Sequence, residues 1–171
     1  MTDQNADRLA GKCAKMRGRP WLIRYVEPAI ESGDVGVETP RRREALDSTE
    51  RARLLSAYQR YLDAFNDSDI DAINRCIKYP LAYIGSGEVT LLEQFPINPA
   101  EMRTSKGWDR SEGIEIDVVA VGDTKAHLVM RNARRLRRDG SLIEEATGFY
   151  AYIKEGGDWK MFAISDIVFP A

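Results

Sequence analysis

Apolar and polar positions alternate most clearly between residues 125 and 166, where long β-prone runs are broken by two turn signals. Asp139-Gly140 predicts a tight hairpin, because a two-residue type I′ turn needs positive φ at both positions. With that pair at the tip, Arg138 faces Ser141, Leu136 faces Ile143, Arg135 faces Glu144 and Arg134 faces Glu145. Further out, Met130 faces Phe149, Leu128 faces Ala151 and His127 faces Tyr152. This register joins opposite charges twice and apolar pairs repeatedly, each worth roughly 0.2–1 kcal/mol. One face then carries Leu128, Met130, Asn132 and Arg134 opposite Ala151, Phe149, Thr147 and Glu145, apolar at one end and polar toward the turn. The other carries His127, Val129, Arg131 and Arg135 opposite Tyr152, Tyr150, Gly148 and Glu144, and is assigned outward. A second turn at Glu155-Gly156-Gly157-Asp158 leads into a buried-strand pattern from Trp159 to Ile164. It sets Phe162 against Ala151, Ile164 against Phe149 and Asp166 against Thr147.

Upstream, Asp47-Ser48-Thr49-Glu50 has the spacing of a capping box and predicts a helix start. Leu54, Tyr58, Tyr61, Leu62 and Phe65 then fall on one helical face. Ser68 opens a second helix carrying Ile70, Ile73 and Ile77, closed by Pro80. A strand follows over residues 79–84, with a turn at Gly85-Ser86-Gly87. Asn98-Pro99-Ala100-Glu101 predicts a third helix, with a cap, a proline at the first position and an acid at the third. Ile114, Ile116, Val118 and Ala120 alternate with polar residues in a further strand. Residues 1–46 lack steady periodicity and read as a mostly irregular arm, in which residues 21–26 are the one segment suited to docking. The domain proper is expected over residues 47–171.

Composition narrows the class. The 171 residues suit one domain, and 43% hydrophobic with 30% charged residues is the balance of a globular protein. A net charge of −2 gives no general pull toward nucleic acid or an anionic membrane, and neither is expected as a partner. Glu144 and Glu145 answer two of the arginines between Arg131 and Arg138, leaving water for the rest. Two cysteines, Cys13 and Cys76, with one histidine and no CxxC, make neither a disulfide framework nor a zinc site. Reduced thiols and a cytoplasmic location are the expectation, with no metal and no cofactor. No signal-peptide core or membrane-spanning run is present in the sequence pattern.

The order of elements resembles the NTF2-like superfamily, which includes ketosteroid isomerase, scytalone dehydratase, limonene epoxide hydrolase and the SnoaL-like cyclases. The resemblance rests on Ala64-Phe65-Asn66, Tyr79-Pro80, residues 125–131, Arg138-Asp139-Gly140 and Gly157-Asp158-Trp159-Lys160. It implies an α+β cone, a strongly bent antiparallel sheet wrapped around about three helices, with a pocket at the open end. It also implies a homodimer through the outer sheet face. The catalytic residues of the named enzymes do not carry over. The slot of the isomerase's general base holds Tyr79, and the strand of its oxyanion-hole carboxyl carries Phe149. A neutral phenol is a poor base and a phenyl ring exchanges no proton. No counterpart of the acid sets of the epoxide hydrolase or the dehydratase is visible.

Candidate chemistry gathers at one place. Asn132, Thr147 and Asp166 form a polar row across three strands, at the polar end of the apolar face. Asp166 is the candidate catalytic residue. The expected pocket lining is Tyr58, Tyr61, Tyr79, Trp108, Met130, Asn132, Thr147, Phe149, Phe162 and Ile164. His127 is expected to be structural or at an interface, and Ser86 and Ser111 to be loop serines. Two functions fit this pattern. One is a module that binds a small apolar ligand or dimerises. The other is a metal-independent acid–base enzyme acting on a small, largely apolar substrate.

Overall fold

One face of a 26-residue helix, α1 (Arg41–Asn66), buries Leu54, Tyr58, Tyr61, Leu62 and Phe65, the residues its apolar periodicity selects. In this computed structural model, residues 24–25 and 41–171 are described, with side chains from residue 48 onward. The helix begins at Arg41, ahead of the start expected at Asp47. Glu50 therefore caps no backbone. Its carboxylate accepts from Trp159 Nε1 at 3.2 Å and pairs with Lys154 at 2.8 Å. What reads as a capping box is a tie between α1 and the last hairpin.

The remaining elements are β1 (Arg24–Tyr25), α2 (Ile70–Arg75), β2 (Ile77–Ile84), β3 (Val89–Leu92), α3 (Pro99–Lys106), β4 (Arg110–Glu112), β5 (Glu115–Val121), β6 (Lys125–Leu136), β7 (Leu142–Glu155) and β8 (Asp158–Pro170). Helix α2 is capped by Asp69, not Ser68, and stops at Arg75, so Ile77 opens a strand instead of closing a helix. Helix α3 follows its sequence signals closely. Asn98 accepts from the amides of Ala100 and Glu101, and Gly107 ends the helix at φ 70°. Of the expected docking segment 21–26, Arg24-Tyr25 pairs with Glu115-Ile116; its other residues lie outside the described ones.

The eight-stranded sheet has the order β1-β5-β6-β7-β8-β2-β3, with β4 also on β6. Strands β5 to β8 are antiparallel, as expected, while β2 runs parallel to β8 and β1 to β5. The bent sheet wraps α1. Ile116, Val118, Leu128, Met130, Tyr150, Tyr152, Met161 and Ile164 are buried with the helix's apolar face in one core.

The register corrects the sequence reading in a specific way. Near the first tip, Arg135 pairs with Glu144 and Arg134 with Glu145, as expected. The tip itself is a three-residue loop, closed by Arg137 N–H donating to the Ser141 carbonyl, and Gly140 alone among its residues has positive φ. Leu136 consequently pairs with Leu142, and an irregularity opposite Ile143 restores the expected phase. Farther along, β6 holds two residues, Arg131 and Asn132, opposite Thr147 alone. This bulge puts Asn132 at φ 59° and shifts every later pair by one. Leu128 now pairs with Tyr150 and Val129 with Phe149.

The second hairpin repeats the device. Glu155 pairs with Asp158 across Gly156-Gly157, both at positive φ, and Phe162 is then an extra residue on β8. Beyond it, Ala151 pairs with Ala163, Tyr150 with Ile164 and Gly148 with Asp166. Two bulges thus exchange faces. Tyr150 and Tyr152, expected outside, are buried in the core, and Phe149, expected inside, faces out and packs on His127 at 5.3 Å between ring centroids.

Candidate functional site

Between α1 and the inner sheet face lies a cavity of about 50 Å³. Apolar side chains make most of its wall: Leu62 and Phe65 from α1, Ile97 from the loop before α3, Ile114 before β5, Met130 from β6 and Ile164 from β8. Two charged side chains enter it, Arg135 from β6 and Asp166 from β8. Two wider and more open clefts, of about 860 and 500 Å³, lie on the other side of α1 against the β7–β8 turn. Their walls are dominated by charged and small side chains such as Arg53, Arg60, Asp63 and Asp158, without the apolar enclosure that holds a small molecule.

Asp166 is positioned by backbone pairing with Gly148 and by one side chain. The Tyr83 hydroxyl donates to its Oδ1 at 2.6 Å. That bond to a carboxylate, helped by partial burial, pushes the Tyr83 phenol up to about 12. Gly148 has its own part in this geometry. A Cβ there would stand 2.7 Å from the Tyr150 hydroxyl, so the missing side chain is what lets that phenol fold back beside Asp166. Burial raises Tyr150 to about 12; Arg135 acts on it downward and Asp166 upward. Tyr61 is likewise held well above its ordinary value by burial, with the same opposed influences from Arg135 and Asp166. Both phenols are therefore neutral hydrogen-bonding groups lying within reach of a cation and an anion.

Arg135 reaches the inner face because the bulge at Asn132 resets the phase of β6. Its Nη1 bonds Glu144 Oε1 at 2.5 Å, and Lys106 from the last turn of α3 bonds the other oxygen at 2.8 Å. Glu144 is buried, and despite the desolvation that raises it, these two partners hold its carboxyl below the ordinary value. Ser111 on β4 lines the cavity and accepts from Trp108 Nε1 at 3.2 Å, so it is no loop serine. The deeper phenols, Tyr58 and Tyr152, are raised by burial, and their hydroxyls meet no hydrogen-bond partner among the described residues.

Of the residues singled out from sequence, Tyr61, Met130, Ile164 and Asp166 come together in the cavity wall. Tyr58 packs behind them, edge-on to Tyr150 at 5.3 Å. Tyr79 turns to Asn74, its hydroxyl donating at 2.5 Å. Trp108 is an anchor behind the wall, against Phe65 at 5.5 Å and under the Arg103 guanidinium at 4.5 Å. The row of Asn132, Thr147 and Asp166 does not form, because the bulges leave Asn132 exposed and pair Thr147 with Ile167. Phe149 and Phe162 leave the cavity for the outer face, where Lys125 lies over the Phe162 ring at 5.7 Å. Arg135, Tyr83, Tyr150, Ser111 and Gly148 are the members the sequence reading missed. The visible signal was the doubled polar pair Arg131-Asn132, which breaks the alternation of β6.

A bent sheet closed around a long helix, with a cavity between them, defines a cone-shaped α+β protein. The chain shares the fold of ketosteroid isomerase-like and cystatin-like solved structures. A ketosteroid isomerase-like protein from Erwinia carotovora atroseptica superposes with a TM-score of 0.51 at 19% identity, over 70% of this chain and 96% of that one. A protein of unknown function with a cystatin-like fold, from Nostoc punctiforme, gives 0.53 at 13% identity, over 71% and 92%. A conserved protein from Planctomyces limnophilus gives 0.51 at 14%, over 72% and 99%. No protein-family model and no curated protein matches the sequence.

Proposed function

We propose that the cone interior binds a small, largely apolar molecule carrying one polar group, with Arg135 and Asp166 as the groups that orient it. One observation carries this reading: a cation and a carboxylate both line a largely apolar cavity between α1 and the sheet. At about 50 Å³ the space receives a small group. The outer sheet face supports a second copy of the chain as partner. Val129, Phe149 and Ile167 lie on it, and through the pairs Ala82–Leu91 and Ile84–Val89 so do the exposed Leu91 and Val89. Among the described residues no helix is long and apolar enough to cross a membrane, and the free Cys76 accords with a reducing, cytoplasmic setting.

A second reading, acid–base catalysis by Asp166, is favoured by the Tyr83 contact. It engages one carboxylate oxygen and leaves the other for a ligand. A fragment library screened by ligand-observed NMR tests the binding reading. Hits on the native protein should weaken in Asp166→Asn of unchanged fold. A hit set indifferent to that substitution removes Asp166 from the site. Light scattering should give twice the chain mass, and a monomer at micromolar concentration refutes the assembly.

A further inference from the structure

Opposite charges in one apolar cavity ordinarily pair with each other, because an unpaired buried charge is costly. Here they do not. Arg135 is turned to Glu144, which it shares with Lys106, and Asp166 is turned to Tyr83. No ion pair within 4.0 Å joins Arg135 to Asp166, although both act on Tyr61 and Tyr150. The group is also balanced. Lys106 and Arg135 carry two positive charges, and Glu144 and Asp166 two negative ones.

An added carboxylate would gain Arg135 but meet Asp166 in the wall, and Glu144 already holds Arg135 from behind. An added ammonium would gain Asp166 but meet Arg135 in the wall, with Lys106 beyond it on Glu144. Each would also lose its hydration to an apolar wall. A neutral group with an acceptor beside a donor avoids both costs. Its carbonyl oxygen can take a guanidinium N–H while its N–H or O–H donates to the carboxylate oxygen that Tyr83 leaves open.

Building on the binding reading above, we infer that the cavity selects a neutral ligand with an adjacent hydrogen-bond acceptor and donor, a primary carboxamide or an α-hydroxy carbonyl compound, over the corresponding acid or amine. The acceptor lies toward Arg135 and the donor toward Asp166. Asp166→Asn leaves the group with one excess positive charge, and the preference then moves to the acid.

Four probes of one small branched skeleton test this: isobutyramide, isobutyrate, isopropylammonium and the zwitterion valine. Binding is read from the methyl resonances of Met130 and Ile164, which line the cavity. Isobutyramide should titrate both methyls, with isobutyrate and isopropylammonium weaker by about tenfold or more. In Asp166→Asn, isobutyrate should overtake isobutyramide. Tighter binding of isobutyrate, isopropylammonium or valine than of isobutyramide by the native protein overturns the selectivity and leaves the cavity as a binding site. If none of the four moves either methyl, the binding reading itself fails and this inference with it. The native series decides the matter even if the variant does not fold.

Discussion

Two cross-strand pairs of the same residue types sit side by side on β6 and β7 and have opposite fates. Arg135–Glu144 points into the cone, where Glu144 is 6% exposed and holds two cations. Arg134–Glu145, one step along both strands, points outward and forms no ion pair within 4.0 Å. The same contrast recurs past the bulge. Tyr150 is buried among Tyr58 and Tyr61, while Phe149 shares the outer face with His127. Residue type does not decide which side is functional; the phase of the strand does, and single extra residues set that phase.

The sharpest test of this contrast is a pair of truncations. Tyr150→Ala should destabilise by about 4 kcal/mol, as for a large buried aromatic, and Phe149→Ala by only about 1 kcal/mol. Urea denaturation of both variants checks the ranking, and the reverse order would restore the unbulged register. Next in size is Glu144→Gln. It leaves Arg135 facing the interior with a weaker acceptor, at a cost of about 2 kcal/mol, moderated because Lys106 is half exposed. Glu145→Gln should stay within about 0.5 kcal/mol. The carboxyl of Glu144 is depressed in the fold below its ordinary 4.5. Its stabilisation is therefore complete above that value and is lost as pH falls through the lower folded one. A thermal-stability profile taken below pH 5 should be flatter in Glu144→Gln than in the native protein. The smallest effect is the coupling of Arg134 to Glu145. A double-mutant cycle should give at most about 0.2–1 kcal/mol, and less than the Arg135–Glu144 cycle.

Local signals in the sequence were legible where chemistry marks them. The apolar stripe of α1, the Asn98 cap, Gly107 and the Gly156-Gly157 turn each announce a backbone state that few other residues accept. The bulges announce nothing comparable. Asn132 adopts φ 59° without being glycine, marked only by the polar pair Arg131-Asn132, and Phe162 hides within an unbroken apolar run where either register satisfies the local pattern. The first tip shows how a partial success arises, since a longer loop and an irregularity at Ile143 cancel and return Arg135 to Glu144. The site inherits this blindness. Asp166, Tyr61, Met130 and Ile164 were readable, whereas Arg135 and Tyr150 needed the correct phase, and Tyr83 needed β2 placed beside β8.

Strand β8 follows every other strand in the chain yet sits between β7 and β2. On a translating ribosome, β2 and β3 emerge long before the strand that joins them to β7, so the sheet stays in two pieces until β8 is free of the exit tunnel. The parallel pair Ile77–Met161 and its neighbours close long loops, and contacts of that span slow folding. Until then, the edge of β2 that β8 will cover stays open. Slowing translation before residue 158 should therefore lengthen the time for which the two pieces stay apart without improving the yield of folded protein.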